Sequence, residues 1–314
     1  MELMSTTNQP LVSIVVITYN SSKFVVETLE STRAQTYQNI ELIISDDCST
    51  DNTIEICKEW IDQNEDRFVR IEIITSPKNT GIAANCNRGL AAVKGEWIKY
   101  IAGDDMLTTN CLQLNLEFTQ RVPAARFVFS TRQIIEDNEL VDRFNYSTFV
   151  NYSKRKQVKY ILLSNQISAT SSFIHSETLK ILGSWDETFP MMEDYPMWVK
   201  ALLKGHKIYG FNDLTCYYRI HNSNISLSSS KIFNEQFHKT LRKFYVRVLL
   251  KENSNKINFL NVIYVLYFLL ISDLIILNKN RNNALNKWLL GTIELLKKII
   301  QKYYSMIYDK NEKL

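Results

Sequence analysis

Residues 11–18 are an unbroken apolar, β-branched run, the pattern of a strand buried on both faces of a parallel sheet. A polar turn with helix-capping serines follows at 19–22, and then Val25, Leu29 and Thr32 recur at helical spacing. The alternation repeats. Residues 40–45 predict a second buried strand ending in Asp46-Asp47, and 49–53 cap a helix whose inner face is Ile54, Cys57 and Ile61. Residues 69–74 predict a third strand, and residues 81–93 place Ile82, Cys86, Leu90 and Val93 on one helical face. Residues 97–102 predict a fourth strand, which ends in Gly103-Asp104-Asp105. Strands alternating with helices predict a parallel α/β sheet. Ligands of such sheets bind beyond the carboxyl ends of the strands, where both acidic pairs fall.

The pattern then becomes mixed. It predicts a helix over 106–121, strands over 126–132 and 171–175, and an amphipathic helix over 196–203 ended by Gly205. Two further strands follow at 207–211 and 215–220, then a serine-rich linker at 226–231. In the tail, Leu260, Ile263, Tyr267, Leu270, Leu274 and Leu277 alternate by three and four residues. Residues 257–277 are about long enough to span a bilayer, but Asn261 and Asp273 are costly in hydrocarbon. A second stripe, Leu285, Trp288, Thr292, Leu295 and Ile299, is accompanied by Lys287, Lys297, Lys298 and Lys302. From Lys279 to Leu314 there are eight Lys or Arg and three Asp or Glu. A packed helical hairpin, an interfacial membrane element and a membrane span are the three readings of this tail.

Composition narrows the function classes. A net charge of +4 on 314 residues is too mild to argue for nucleic acid. Five scattered cysteines without a C-x-x-C argue against a disulfide framework or a zinc site and favour a reducing cytoplasm. The first ten residues lack a signal-peptide pattern. No G-x-G-x-x-G follows the first strand and no G-x-x-x-x-G-K-[ST] occurs, which removes the main support for a dinucleotide-binding enzyme or a P-loop NTPase.

Several motifs, in order, carry a resemblance. Val12-Ser13-Ile14-Val15-Val16-Ile17-Thr18-Tyr19-Asn20 is followed by Asp46-Asp47-Cys48-Ser49-Thr50-Asp51, Asn79-Thr80-Gly81, Asn87 and Gly95-Glu96. Gly103-Asp104-Asp105, Glu193-Asp194 and Tyr218-Arg219-Ile220-His221 complete the set. Each piece alone is weak, but the ordered set over residues 10–226 resembles family 2 glycosyltransferases of the GT-A fold. The resemblance implies a Rossmann-like mixed sheet flanked by helices, with a C-terminal helical extension. It implies a nucleotide-sugar-binding half over 1–105, an acceptor-binding and catalytic half of the same domain over 106–226, and a helical extension over 227–314.

It also implies roles. Asp46 or Asp47 would accept from the base or ribose of a nucleotide-sugar donor, with Thr18, Tyr19 and Asn20 lining the pocket and Asn79, Gly81 and Asn87 beside it. Asp104 matches the second aspartate of the family's D-x-D metal motif, while Ala102 stands at the first position. Asp105 either compensates or faces the helix start. Asp104 and His221 would hold Mn²⁺ or Mg²⁺ against the leaving diphosphate. Arg219 either supports that diphosphate or pairs with an acid. Asp194 matches the catalytic base, with Glu193 beside it. Cys86 and Ile17 replace an arginine and a proline of many relatives.

The expected activity is an inverting, metal-dependent hexosyl transfer, with a UDP-sugar as the favoured donor. Met192-Glu193-Asp194-Tyr195-Pro196-Met197-Trp198 resembles transferases that build O-antigen or capsule repeats on lipid-pyrophosphate carriers. That points to a cytoplasmic enzyme at the inner face of the membrane, with peripheral contact or a homodimer through the tail. The alternatives are a nucleotidyltransferase, for which a basic Gly-rich loop after the first strand is missing, and a non-catalytic membrane-associated nucleotide-sugar-binding protein. A glycosidase would also use two carboxylates but needs no nucleotide pocket.

Overall fold

A computed structural model describes residues 9–136, 139–144, 147–189, 192–221, 234–251 and 257–311. Its first half follows the hydrophobic alternation: β1 (Val12–Thr18), α1 (Val25–Arg33), β2 (Ile40–Asp46), α2 (Thr53–Asp62), β3 (Arg70–Thr75), α3 (Ile82–Ala92) and β4 (Trp97–Ala102). The four strands are parallel in the order β3-β2-β1-β4. Both faces of β1 are covered, which is why its sequence is continuously apolar. Val12, Ile14 and Val16 join Val25, Leu29 and Cys57 in one buried layer. On the other face α3 lies so close that a Cβ on Gly89 would sit 2.5 Å from Val15 Cγ1. Each fully buried aliphatic side chain contributes about 1.5–3 kcal/mol relative to exposure.

The second half is β5 (Met106–Leu107), α4 (Cys111–Arg121), β6 (Phe127–Glu136), β7 (Glu139–Phe144), α5 (Lys154–Ile161), β8 (Ser172–His175), α6 (Ser176–Ile181), α7 (Asp194–Leu203) and β9 (Ile208–Ile220). The helices α8 (Glu235–Lys251), α9 (Phe259–Leu277) and α10 (Ala284–Asn311) follow. Among the described residues nine strands make one mixed sheet, ordered β3-β2-β1-β4-β8-β6-β9-β5 with β7 on β6. β8 runs antiparallel to β4 and β6, whereas β6 and β9 are parallel. This is the Rossmann-like mixed sheet with C-terminal helices that the resemblance implied.

Two predicted elements are corrected. The helix expected from residue 106 starts at Cys111, because Met106 and Leu107 pair with Tyr217 and Cys216 of β9 instead. The strands expected at 207–211 and 215–220 are one strand, continuous through a register shift against β6, where Asn212 Oδ1 accepts from Thr131 Oγ1 at 3.0 Å. The linker at 226–231 lies outside the described residues.

The chain divides into two compact units. One comprises Met1–Ser147, Ser168–Asp194 and Ile208–Ile220 and holds the whole sheet; the other comprises Thr148–Ile167, Tyr195–Lys207 and His221–Leu314. Within the second, α9 and α10 pack together as a helical hairpin. Asn261, awkward for a membrane span, is fully buried: its Nδ2 donates to Lys159 O at 2.9 Å, and its Oδ1 accepts from Tyr304 Oη at 3.1 Å.

Candidate active site

In the sheet-bearing unit, the strand order reverses between β1 and β4, and ligands of such sheets bind beyond the carboxyl ends at that point. The segments after β1, β2 and β4 converge there. Thr18, the last residue of β1, donates from Oγ1 to Asp46 Oδ2 at 2.8 Å. Asp46 also accepts from Ser49 N at 2.8 Å and Ser49 Oγ at 2.5 Å. Asn20 adopts φ +51°, a left-handed conformation that asparagine tolerates. Its N–H donates to Ser49 Oγ at 2.8 Å, and its Oδ1 accepts from Thr50 N at 2.8 Å, so it ties the β1 and β2 loops together. Ser49 is thus spent on this bridge rather than on capping; Asp51 accepts from Thr53 N at the start of α2. Tyr19, in the loop after β1, is 49% exposed.

Asp47 points inward. Its carboxylate accepts from Thr80 N at 3.0 Å, Thr80 Oγ1 at 2.7 Å, Gly81 N at 2.7 Å and Arg88 Nη2 at 2.6 Å. Burial pushes this carboxyl up, but the Thr80, Arg88 and Gly81 bonds outweigh it and hold it below the usual range. Gly81 precedes α3 at φ +90°, a backbone that a side chain would strain, and Asn79 Oδ1 accepts its N–H at 3.2 Å. Asp47 therefore pins the entry to α3.

Gly103 lets β4 approach β1. A Cβ there would lie 2.9 Å from Thr18 Cγ2 and 3.0 Å from Ser21 Oγ. Asp104 is half-buried at this turn, whereas Asp105 is buried. The Asp105 carboxylate accepts from Arg219 N at 2.9 Å and from Thr170 Oγ1 at 3.2 Å. Burial, with the Asp104 charge next, pushes Asp105 up to about 8. Arg219, on β9, is buried: it donates from Nε to Asp104 O at 3.0 Å and from Nη2 to Glu27 Oε2 at 2.5 Å, with its guanidinium 4.8 Å from the Phe24 ring centre. Of the two readings of Arg219, pairing with an acid is the one present here, and the same side chain pins the backbone of Asp104.

Glu193 and Asp194 stand side by side, both half-buried, with Asp194 the first residue of α7. The helix begins two residues before Pro196. Proline is tolerated there because first-turn N–H groups have no intrahelical partner. Burial and the adjacent Asp194 charge push Glu193 up to about 8. Asn87 reaches toward this motif from α3: its Nδ2 donates to Trp185 O at 2.9 Å and Glu187 Oε1 at 2.7 Å, and its Oδ1 accepts from Trp185 N at 2.9 Å. Cys86, fully buried one residue earlier, is pushed well above the usual thiol range by burial, then by the charge of Glu193, with Asp194 and Asp47 adding and Arg88 opposing. The charges of Asp47, just after β2, and of Glu193 and Asp194, at the start of α7, therefore all reach the Cys86 thiol on α3. His221 is half-buried and follows the last residue of β9; residues 222–226 of the closing motif lie outside the described residues.

Two side chains that brace these loops are not among the residues that the sequence motifs single out. Asn85 is buried: its Nδ2 donates to Thr18 O at 3.1 Å, and its Oδ1 accepts from Ser45 Oγ at 2.6 Å and Arg88 Nη2 at 3.0 Å. Its signal was an asparagine on the apolar face of α3. Arg88 stands two residues beyond Cys86, where many relatives carry arginine, and it bridges Asp47 and Thr80.

Comparisons with known proteins agree with this fold. A family model described as glycosyl transferase family 2 matches residues 13–177. The chain is 31% identical over 223 residues to the UDP-Glc:alpha-D-GlcNAc-diphosphoundecaprenol beta-1,3-glucosyltransferase WfaP of Escherichia coli, covering 70% of this chain and 82% of that protein. The fold is similar to S. aureus TarS 1–349 in complex with UDP-GlcNAc, with a TM-score of 0.61, 20% identity, and coverage of 82% of this chain and 71% of that one. It spans 43% of the full TarS chain, at a TM-score of 0.56. A mannosyltransferase from Pyrobaculum calidifontis in complex with GDP-Man and Mn2+ matches with a TM-score of 0.57 and 16% identity, over 77% of this chain and 65% of that one. The family model and the WfaP match establish that the chain belongs to glycosyltransferase family 2.

Proposed function

We propose that this glycosyltransferase moves a hexose from a UDP-sugar, with inversion, to a hydroxyl of a lipid-pyrophosphate-linked saccharide during assembly of a bacterial surface polysaccharide such as O-antigen or capsule. The observation that supports this reading is that the nucleotide-side carboxylate Asp47, which Arg88 of α3 holds, and the Glu193-Asp194 pair all bear electrostatically on the same buried residue of α3, Cys86. The relative WfaP acts, by its name, from UDP-Glc on a diphosphoundecaprenol-linked sugar, and the TarS fold relative binds UDP-GlcNAc.

The 1–105 half binds the donor and the 106–226 half binds the acceptor. A carboxylate has about four acceptor positions. Asp46 accepts three hydrogen bonds, leaving one position toward a ribose hydroxyl or base N–H, with Thr18 orienting it. Tyr19 offers an exposed ring to the base. Asp47, Asn20, Asn79, Gly81 and Asn87 hold the loops around the donor, and Arg219 holds the Asp104 turn. Asp194 takes the proton from the acceptor hydroxyl as it attacks the anomeric carbon. Glu193, its carboxyl raised by burial and by the Asp194 charge, donates a hydrogen bond to a sugar oxygen in its protonated form.

The donor set suits a hard divalent cation. Asp104 offers carboxylate oxygens at a pinned turn, and His221 is the second ligand by its motif. Among the described residues no group of three or more His, Cys, Asp or Glu converges on a metal position, so diphosphate and water oxygens would fill most of the shell. Mn²⁺ or Mg²⁺ there supplies positive charge for the departing diphosphate. A lipid-linked acceptor puts the enzyme at the cytoplasmic face of the membrane.

The test is a panel of nucleotide sugars screened for UDP release with a lipid-linked acceptor, run on the parent and on Asp194→Asn. The variant is expected to bind UDP-sugar normally and to lose transfer. Turnover within about tenfold of the parent removes Asp194 as the base. UDP binding by the parent with no release from any donor favours the non-catalytic alternative.

A further inference from the structure

The helical unit carries an apolar face that its own core does not use. On α9, Tyr264, Val265, Phe268, Ile271 and Ile275 are buried, while Phe259, Leu266, Leu270, Leu274 and Leu277 on the opposite side are 42–79% exposed. On α10, the buried row includes Leu289, Ile293, Ile300 and Tyr304. A second row, Leu285, Trp288, Leu295, Ile299, Tyr303 and Met306, is 48–65% exposed and recurs at steps of three, four or seven residues, so it forms a single stripe. Because α9 and α10 pack together, the two exposed apolar stripes belong to one hairpin.

Charge identifies the occupant. Lys287, Lys298 and Lys302 fall on the polar side of the α10 stripe, away from its buried row. From residue 234 onward the chain carries fourteen Lys and Arg against six Asp and Glu, while the remainder carries 23 against 27. A second copy would bring the same basic helices to the contact; an anionic bilayer would bring the opposite sign. Trp288 and Tyr303 within the stripe suit the headgroup boundary.

We infer that the α9–α10 hairpin lies flat in the surface of an anionic bilayer, with both apolar stripes in the acyl boundary and the lysines among the headgroups. α9 is long and apolar enough to cross a membrane, but crossing would strip Asn261, on its packed face, from Lys159 and Tyr304. Lying in plane keeps those bonds and buries the outward row. This inference concerns the helical unit alone and holds whichever sugar is transferred.

Sedimentation of the full chain with vesicles tests it, using phosphatidylcholine with and without about 30% phosphatidylglycerol. The parent should bind the anionic vesicles at low salt and be released by alkaline carbonate. Leu270→Glu/Leu295→Glu changes only exposed positions, so it should keep the parent's melting temperature and bind about a hundredfold more weakly or worse. Lys298→Gln/Lys302→Gln should lose about thirty-fold, on anionic vesicles only. No binding at low salt by the parent overturns the proposal, as does parental binding by the leucine double variant. Resistance to carbonate would make α9 a span. A parent dimer that the leucine variant splits, without vesicle binding, would give the face to a second copy. UDP release measured on a soluble acceptor in the same samples separates this failure from a failure of the proposed reaction.

Discussion

Replacing Asp47 by alanine separates two roles for the same carboxylate. If Asp47 touches only the donor, its loss weakens nucleotide binding and leaves the fold alone. The geometry predicts a loss of stability as well. Four donors would lose their acceptor: Thr80 N, Thr80 Oγ1, Gly81 N and Arg88 Nη2. Hydrogen bonds to a charged group are worth about 1.5–3 kcal/mol each when one partner is deleted. These do not sum, because Thr80 and Gly81 are half-buried and can turn to water, and Arg88 keeps Thr80 and Asn85. A net cost of about 3 kcal/mol is expected, which corresponds to roughly 6–12 °C in melting temperature for a unit of this size. Because the Asp47 pKa is depressed in the folded protein, this stabilisation is full above the unfolded carboxyl pKa and fades as pH falls through the folded one. Thermal melts of parent, Asp47→Ala, Arg88→Ala and the double variant, with UDP titration of each, provide the measurement. The double variant should cost less than the sum of the singles. An Asp47→Ala melt within about 1 °C of the parent would refute the bracing role.

Three other outcomes follow from the same structure. Gly103→Ala forces a Cβ against Thr18 and Ser21 and should cost about 1–3 kcal/mol, with weaker UDP binding read by calorimetry; unchanged melting and affinity would show that the turn has slack. Glu41 is fully buried and accepts from Ser13, Lys94 N, Gly95 N and Arg70, which outweigh its burial and lower its pKa. Its contribution is therefore present above the unfolded glutamate pKa and lost as pH falls below it, so Glu41→Gln should lower stability by about 2–4 kcal/mol at neutral pH and flatten acid-dependent melting below about pH 5. Chelation with EDTA should stop transfer and Mn²⁺ or Mg²⁺ restore it; full turnover in thoroughly chelated enzyme would remove the roles proposed for Asp104 and His221.

Much of this was legible in the chain. Residues buried on both faces of a parallel sheet must be apolar without interruption, so β1, β2 and β4 announced themselves, and the turns after them announced where a ligand would sit. Glu41 was hidden for the complementary reason: one charge inside an apolar run looks like noise until Arg70 and the amides of Lys94 and Gly95 are seen to surround it. β5 was hidden because two residues carry no periodicity; only the edge of β9 makes them a strand. The hairpin of α9 and α10 was readable as helix, but which side of each helix faces out was not, since α9 is apolar nearly all round.

By itself, the sequence determined the alternation of strands and helices, the family, and the set of acids, amides and glycines at the strand ends, because these depend on local periodicity and on motif order. Only the tertiary structure decided how those polar groups are divided. Asp46 and Asp47 are adjacent in the chain, yet one faces Thr18 and Ser49 while the other is taken up by Thr80, Gly81 and Arg88. Asp104 and Asp105 are likewise adjacent, yet only Asp105 is drawn inward, by Thr170 and the backbone of Arg219. Neighbouring residues leave a strand end in different directions, and which of them meets a donor depends on helices and strands that arrive from 41 to 114 residues away. The hydrogen-bond partners of a buried carboxylate are set by packing, and packing is a property of the folded chain.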